Sequence, residues 1–184
     1  PEKAAFFQAE DDVIVGIRGW IRRTVTAIVA AEACETDPTL CENLREMAEV
    51  NRWLIDGPPR TFREACQWIA WFNMASRTYN RDGAGGQLDV LLWPYYQRDL
   101  AEGRIDEETA VFILACLLLN DTRYYQLGGP DPHGRDQTNR LSFLILEAAH
   151  RLGSTCNLTI RVHDGLDPEL LRQGVRNLLV DRQG

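Results

Sequence analysis

Between Gly153 and Pro168 the chain reads GSTCNLTIRVHDGLDP, and Leu158, Ile160 and Val162 alternate along it. A strand turns successive side chains to opposite faces, so a period of two over CNLTIRVH predicts a strand. Gly153 closes a helical segment before it. Asp167 and Pro168 open another after it by the cap-then-proline rule, and that helix is predicted to run to about Val180. Helix, glycine stop, short strand, turn, helix is one step of an α/β unit, and a parallel neighbour is expected after the final helix. The sequence stops at DRQG, where that neighbour would begin, so it reads as a domain cut between a helix and its expected strand.

No other stretch carries so clear a strand pattern. The first two thirds read as helices, which makes the expected class α/β but helix-dominated. A long helix is predicted over 13–35, with Val25, Ile28 and Val29 on one stripe and Arg22 and Arg23 beside it. Pro38 opens a second, to about Leu54. DGPPR breaks the chain, and Thr61 with Glu64 forms a capping-box pattern for a third, to about Arg77. Its Phe62, Cys66, Ile69, Trp71 and Phe72 predict burial on most sides. NRDGAGGQLD then reads as a glycine-rich turn, and Pro94 interrupts or restarts the helix that follows it. Asp106 is the expected N-cap of 107–119. Asp136 or Thr138 is expected to cap the helix that Gly153 ends.

The 184 residues are enough for one large domain, or for a piece of a larger one, and 45% of them are hydrophobic, which supports a sizeable core. A net charge of −7 offers no basic field for nucleic acid or a membrane surface. The longest apolar run, 110–119, is far too short to span a bilayer, and no signal peptide is visible. Cys34, Cys41, Cys66, Cys116 and Cys156 are scattered, without CxxC spacing. They read as reduced thiols of a cytoplasmic protein, mostly packed in the core.

Candidate chemistry is sparse. His133, in DPHG, is a solvated turn histidine or, with two more ligands, a metal ligand; no other histidine stands at ligand spacing, so no metal is expected. His163 and Asp164 follow the strand's C-terminal end, where α/β proteins place functional side chains. The alternative is a plain turn in which Asp164 caps a backbone amide. GAGG follows a helix and lacks a Lys-Ser/Thr, which argues against nucleotide binding. Tyr124 and Tyr125 are adjacent, so one is expected to face inward and one outward.

Four consecutive blocks carry a stronger signal: PPRTFREACQWIAWFNMA, GGQLDVLLWPYYQRDLAEGRIDEETA, LGGPDPHGRDQTNRLSFLILEAAHRL and NLTIRVHDGLDPELLRQGV. In order and spacing they resemble the pyruvate formate-lyase domain of glycyl radical enzymes, nearer its dehydratase-like branch, from roughly residue 55 to 180. The resemblance implies part of one half of a ten-stranded α/β barrel, with a few short parallel strands. Residues 1–77 would be a helical lead-in, and 78–184 the α/β units of the barrel wall.

It also implies a radical lyase or dehydratase that cleaves a C–C, C–O, C–N or C–S bond of a small polar substrate. A glycyl radical, installed by an activating enzyme that uses S-adenosylmethionine and an iron–sulfur cluster, passes to a catalytic cysteine. Relatives are commonly homodimers. None of the five cysteines stands in the family's glycine-cysteine context, and neither Gly174 nor Gly184 in that of the radical glycine. No catalytic residue and no bound cofactor is therefore expected in this chain. The sequence would supply barrel wall and pocket lining without turnover of its own. The alternative is a helical interaction module that kept the scaffold and lost the radical loops.

Matching GGQLD to the family's glycine-arginine-leucine-aspartate block puts Arg81 and Asp82 at pocket-facing positions. There a histidine-serine pair is usual, and Gln87 stands in place of the family's arginine. A charged pair suits a polar or ionic substrate, or the two residues pair with each other. The segment before LGG also approaches the pocket in relatives, so Tyr124, Tyr125 and Gln126 join His163 as candidate substrate-binding residues. LGGPDPHGRD then looks like the family's strand-to-helix turn, with His133 structural.

Overall fold

The computed structural model describes residues 2–77, 84–120, 123–153 and 156–181. They form two compact units that divide between Pro59 and Arg60.

The first unit is a pair of helices, α1 (Glu2–Cys34) and α2 (Pro38–Asp56). Asp37 caps α2, accepting from the amides of Thr39 at 2.8 Å and Leu40 at 3.1 Å, with Pro38 in the first turn as expected. Ion pairs join the middle of α1 to the end of α2, Arg18 to Asp56, and the end of α1 to the middle of α2, Glu32 to Arg45, so the two helices run antiparallel. Ile21, Val25, Ile28, Ala48 and Leu54 are buried along the seam. α1 starts well before residue 13. Its opening turns, EKAAFFQAEDD, hold good helix formers and no start signal, so propensity carries the helix back.

The second unit runs α3 (Phe62–Arg77), β1 (Ala84–Gln87), α4 (Leu88–Ala101), α5 (Glu107–Asn120), β2 (Tyr124–Leu127), α6 (Arg140–Leu152), β3 (Leu158–Ile160) and α7 (Pro168–Asp181). The class is the expected one, helix-dominated with a few short parallel strands. The sheet order is β1-β2-β3, and both pairings are parallel. Tyr125 stands opposite Leu158, Gln126 opposite Thr159 and Leu127 opposite Ile160. The core lies under the helices, with Phe62, Leu88, Leu92, Leu114, Tyr125, Leu127, Leu141 and Ile145 fully buried.

Three local expectations are corrected. The glycine run is not only a turn, because Ala84–Gln87 is an edge strand with a bulge between Ala84 and Gly86. Gly85 lets the Tyr125 ring approach: a methyl there would sit 2.4 Å from the ring carbons. Pro94 lies inside α4 without ending it, since Leu92 and Tyr96, fully buried on either side, hold the helix through the lost hydrogen bond. α3 is buried along one side only, with Trp68 and Phe72 exposed.

Candidate functional site

The C-terminal ends of the three strands are joined by a network of polar contacts. β1 ends at Gln87, whose side-chain amide donates to the carbonyl of Gly128 at 3.0 Å and to Oε1 of Gln137 at 3.1 Å. Two residues on, Asp89 is fully buried at the start of α4. Its Oδ2 accepts from the Gly128 amide at 2.7 Å and from the Ser142 hydroxyl at 2.5 Å, and its Oδ1 from the Val90 amide at 2.9 Å. Burial pushes the Asp89 carboxyl above the ordinary range, against the pull of those donors. One carboxylate thus ties the end of β1 to the end of β2 and the start of α6.

The loop after β2 is a small closed structure. Gly128 and Gly129 have φ of +61° and +92°, a region that side chains rarely enter. Pro130 and Asp136 form an antiparallel bridge, and the Gln137 amide donates to the Gly129 carbonyl at 2.9 Å. Inside it, Asp131 accepts from the amides of His133 and Arg135 and from the Arg135 guanidinium. His133 is exposed on this turn.

Asn139 caps α6, not Asp136 or Thr138. Its side chain accepts from the Leu141 amide at 2.9 Å, and Ser142 Oγ accepts from the Asn139 amide at 3.1 Å. Asp136 is engaged elsewhere. It meets Nε2 of His163 at 2.9 Å and accepts from the Asp167 amide at 3.1 Å. Nδ1 of His163 accepts from the Gly165 amide at 3.3 Å, so Nε2 carries the proton toward Asp136. Burial alone would raise the Asp136 carboxyl, but the bonds from His163 and the backbone hold it below the ordinary range. The β2 and β3 loops are latched together by this pair.

Of the residues proposed from the sequence, Tyr124, Tyr125 and Gln126 lie along β2 from its first residue onward, His163 lies in the loop after β3, and Arg81 and Asp82 lie outside the described residues. The two tyrosines split as strand geometry requires: Tyr125 is fully buried and accepts from the Asn73 amide at 2.7 Å, and Tyr124 is 50% exposed. His163 has both ring nitrogens occupied. Sequence reasoning gave Asp136 only a capping role and passed over Asp89, Gln137 and Asn139. Their signal was present in LD, DQTN and the glycine pair, but their partners stand tens of residues away. The cysteines are not mostly core: Cys66 is buried, with its thiol pushed up by burial, whereas Cys34 and Cys116 are exposed. Among the described residues no group of three or more His, Cys, Asp or Glu could hold a metal ion, and no helix is long and apolar enough to cross a membrane.

Comparison with known proteins places this architecture. Residues 1–179 match the family model described as pyruvate formate lyase-like. The chain is 35% identical over 172 residues to isethionate sulfite-lyase of Nitratidesulfovibrio vulgaris, a match covering 80% of this chain and 21% of that protein. It is 31% identical over 194 residues to the probable dehydratase YbiW of Escherichia coli K12, covering 90% and 24%. A solved glycyl radical enzyme from Archaeoglobus fulgidus matches the fold with a TM-score of 0.80 at 26% identity, over 88% of this chain and 24% of that one. The sequence spans about a fifth to a quarter of the length of these relatives. It belongs to the pyruvate formate lyase-like family.

Proposed function

We propose that this chain is a segment of a glycyl radical lyase or dehydratase, acting on a C–C, C–O, C–N or C–S bond of a small polar substrate. One observation carries the reading: a family match over nearly the whole chain coincides with a polar cluster at the C-terminal ends of its parallel strands. Relatives named as a lyase and a dehydratase support the same chemistry. The segment supplies wall and pocket lining. Tyr124 and Gln126 face the substrate. Tyr125 and His163 shape the pocket from behind, through Asn73 and Asp136.

The radical that starts the reaction resides on a glycine and a cysteine in other segments of the enzyme. An activating enzyme with S-adenosylmethionine and an iron–sulfur cluster installs it. The full enzyme works in the cytoplasm as a homodimer.

Arg81 and Asp82, which precede β1 in the sequence, complete the lining. Asp82→Ala in the full-length enzyme should raise KM or lower kcat roughly ten- to hundredfold, the usual loss for a hydrogen bond to a charged group. Unchanged kinetics would remove these residues from the site. The reading as a whole is tested by anaerobic incubation with the activating enzyme, reductant and S-adenosylmethionine, followed by electron paramagnetic resonance. The full-length enzyme should give a glycyl doublet, and the 184-residue chain alone should give neither doublet nor lyase activity. A doublet from the short chain, or none from the full-length enzyme, would overturn it.

A further inference from the structure

Arg161 stands apart from the other cations of the second unit. Arg104, Arg140 and Arg151 each hold a carboxylate. The guanidinium of Arg161 meets no hydrogen-bond acceptor and no carboxylate among the described residues. The acids of the neighbouring loop are already engaged, Asp131 by Arg135 and Asp136 by His163.

Its direction follows from the ladder. Ile160 faces α7, since a methyl on Gly174 would lie 2.4 Å from Ile160 Cδ1. The next residue is still bonded to β2, its amide donating to the Leu127 carbonyl at 3.0 Å. By the period of two, Arg161 therefore leaves the sheet on the face away from α7. Gln126 and Thr159 are partners in the register, and Tyr124 lies two residues back along β2, so all four side chains share that face. None of the side chains of Tyr124, Gln126, Thr159 and Arg161 has a hydrogen bond or ion pair among the described residues.

The arginine is also held in place. Its stem lies across Gly129, where a Cβ would stand 2.8 Å from Arg161 Cβ and 2.9 Å from Nη1. Any side chain at position 129 would displace it. A half-buried cation, fixed on backbone and without a counter-charge among the described residues, is costly unless something anionic completes it. Alternate residues of a strand repeat at about 6.6 Å, so the cluster matches a small molecule.

We propose that Arg161 binds an oxyanion group of the substrate, a carboxylate or sulfonate, on this face of the sheet, with the Gln126 amide as a second donor. The guanidinium presents two parallel N–H groups to two oxygens, a geometry that a lysine cannot reproduce. The assignment rests on the reading that this edge lines a substrate pocket, and it narrows the substrate class to anions.

The test is calorimetric titration of the full-length, unactivated enzyme with isethionate, acetate and glycerol. Isethionate or acetate should bind, and the anion that binds identifies the oxyanion. Arg161→Met should weaken that binding roughly ten- to hundredfold and leave glycerol unchanged. Binding of neither anion, or an anion affinity within twofold of wild type in Arg161→Met, would overturn the assignment. Should Arg161→Met fail to fold, Arg161→Lys carries the test, because it keeps stem and charge and loses only the fork. A several-fold loss for the anion alone supports the assignment, and an equal affinity overturns it. The glycyl doublet of the activated wild-type enzyme reports separately. A doublet with no effect at Arg161 removes the anion site and leaves the lyase reading standing, whereas an absent doublet removes that reading.

Discussion

The two sides of the three-stranded sheet solve different problems. Toward the helices, Tyr125 and Leu127 are fully buried, the Tyr125 hydroxyl is bonded to Asn73, and Asp89 spends its oxygens on Gly128, Ser142 and Val90. On the opposite side Tyr124, Gln126, Thr159 and Arg161 are polar and make no side-chain bonds among the described residues. A buried polar group left without a partner is expensive, so the wired side has little freedom to change. On the other side Gln87 alone is tied into the fold, through Gly128 and Gln137, and those four side chains carry no such bonds among the described residues. Substitutions should therefore separate: stability is lost on one side, binding on the other.

The largest stability effect is expected at Asp89. Asp89→Ala strips a fully buried acceptor from the Gly128 and Val90 amides and the Ser142 hydroxyl at once. Losing several buried partners should cost about 3 kcal/mol, read as a lower midpoint in chemical denaturation. A loss under about 0.5 kcal/mol, the range of ordinary surface changes, would show that the carboxylate is not the tie between β1, β2 and α6.

Next in size is the tyrosine pair, which tests the comparison within two adjacent residues. Tyr125→Phe leaves the buried Asn73 amide short of an acceptor and should cost about 1–2 kcal/mol. Tyr124→Phe, at a half-exposed hydroxyl, should change stability by less than about 0.5 kcal/mol and show its effect in substrate affinity instead. Equal stability losses would erase the distinction between the two sides.

How far the sequence foretold this arrangement depends on the range of each interaction. The caps at Asp106 and Asp167, Pro38 in the first turn of α2 and the stop at Gly153 work within a few residues, and each is where it was expected. β1 was missed because AGGQ has poor strand propensity; what makes it a strand is its ladder to residues 124–126 and the Tyr125 ring over Gly85. The cap of α6 shifted to Asn139 because Asp136 is drawn to His163, 27 residues away. Arg161 went unnoticed for a different reason. Attention to alternation in LTIRVH fell on its apolar positions, yet the intervening Thr159 and Arg161 belong to the same pattern and mark the other face.

The smallest expected effect is a pH dependence, and it has opposite signs at the two carboxylates of the wired edge, the fully buried Asp89 and the partly buried Asp136. Asp136 titrates below its ordinary value of 3.8 because His163 and the backbone favour its charged form. Its contribution to stability is therefore present above that value and lost as pH falls through the lower folded one. Asp89 titrates above 3.8, chiefly through burial. Its contribution is complete below 3.8 and is lost as pH rises through the folded value. Asp136→Asn should thus flatten the acid side of a stability–pH profile, and Asp89→Asn should steepen it. Measuring denaturation midpoints from about pH 6 down to about pH 3 for wild type and both variants separates these carboxylates from the exposed ones, which all three proteins share. Slopes that move in the same direction in the two variants would show that the His163–Asp136 latch does not hold its carboxylate in the charged form.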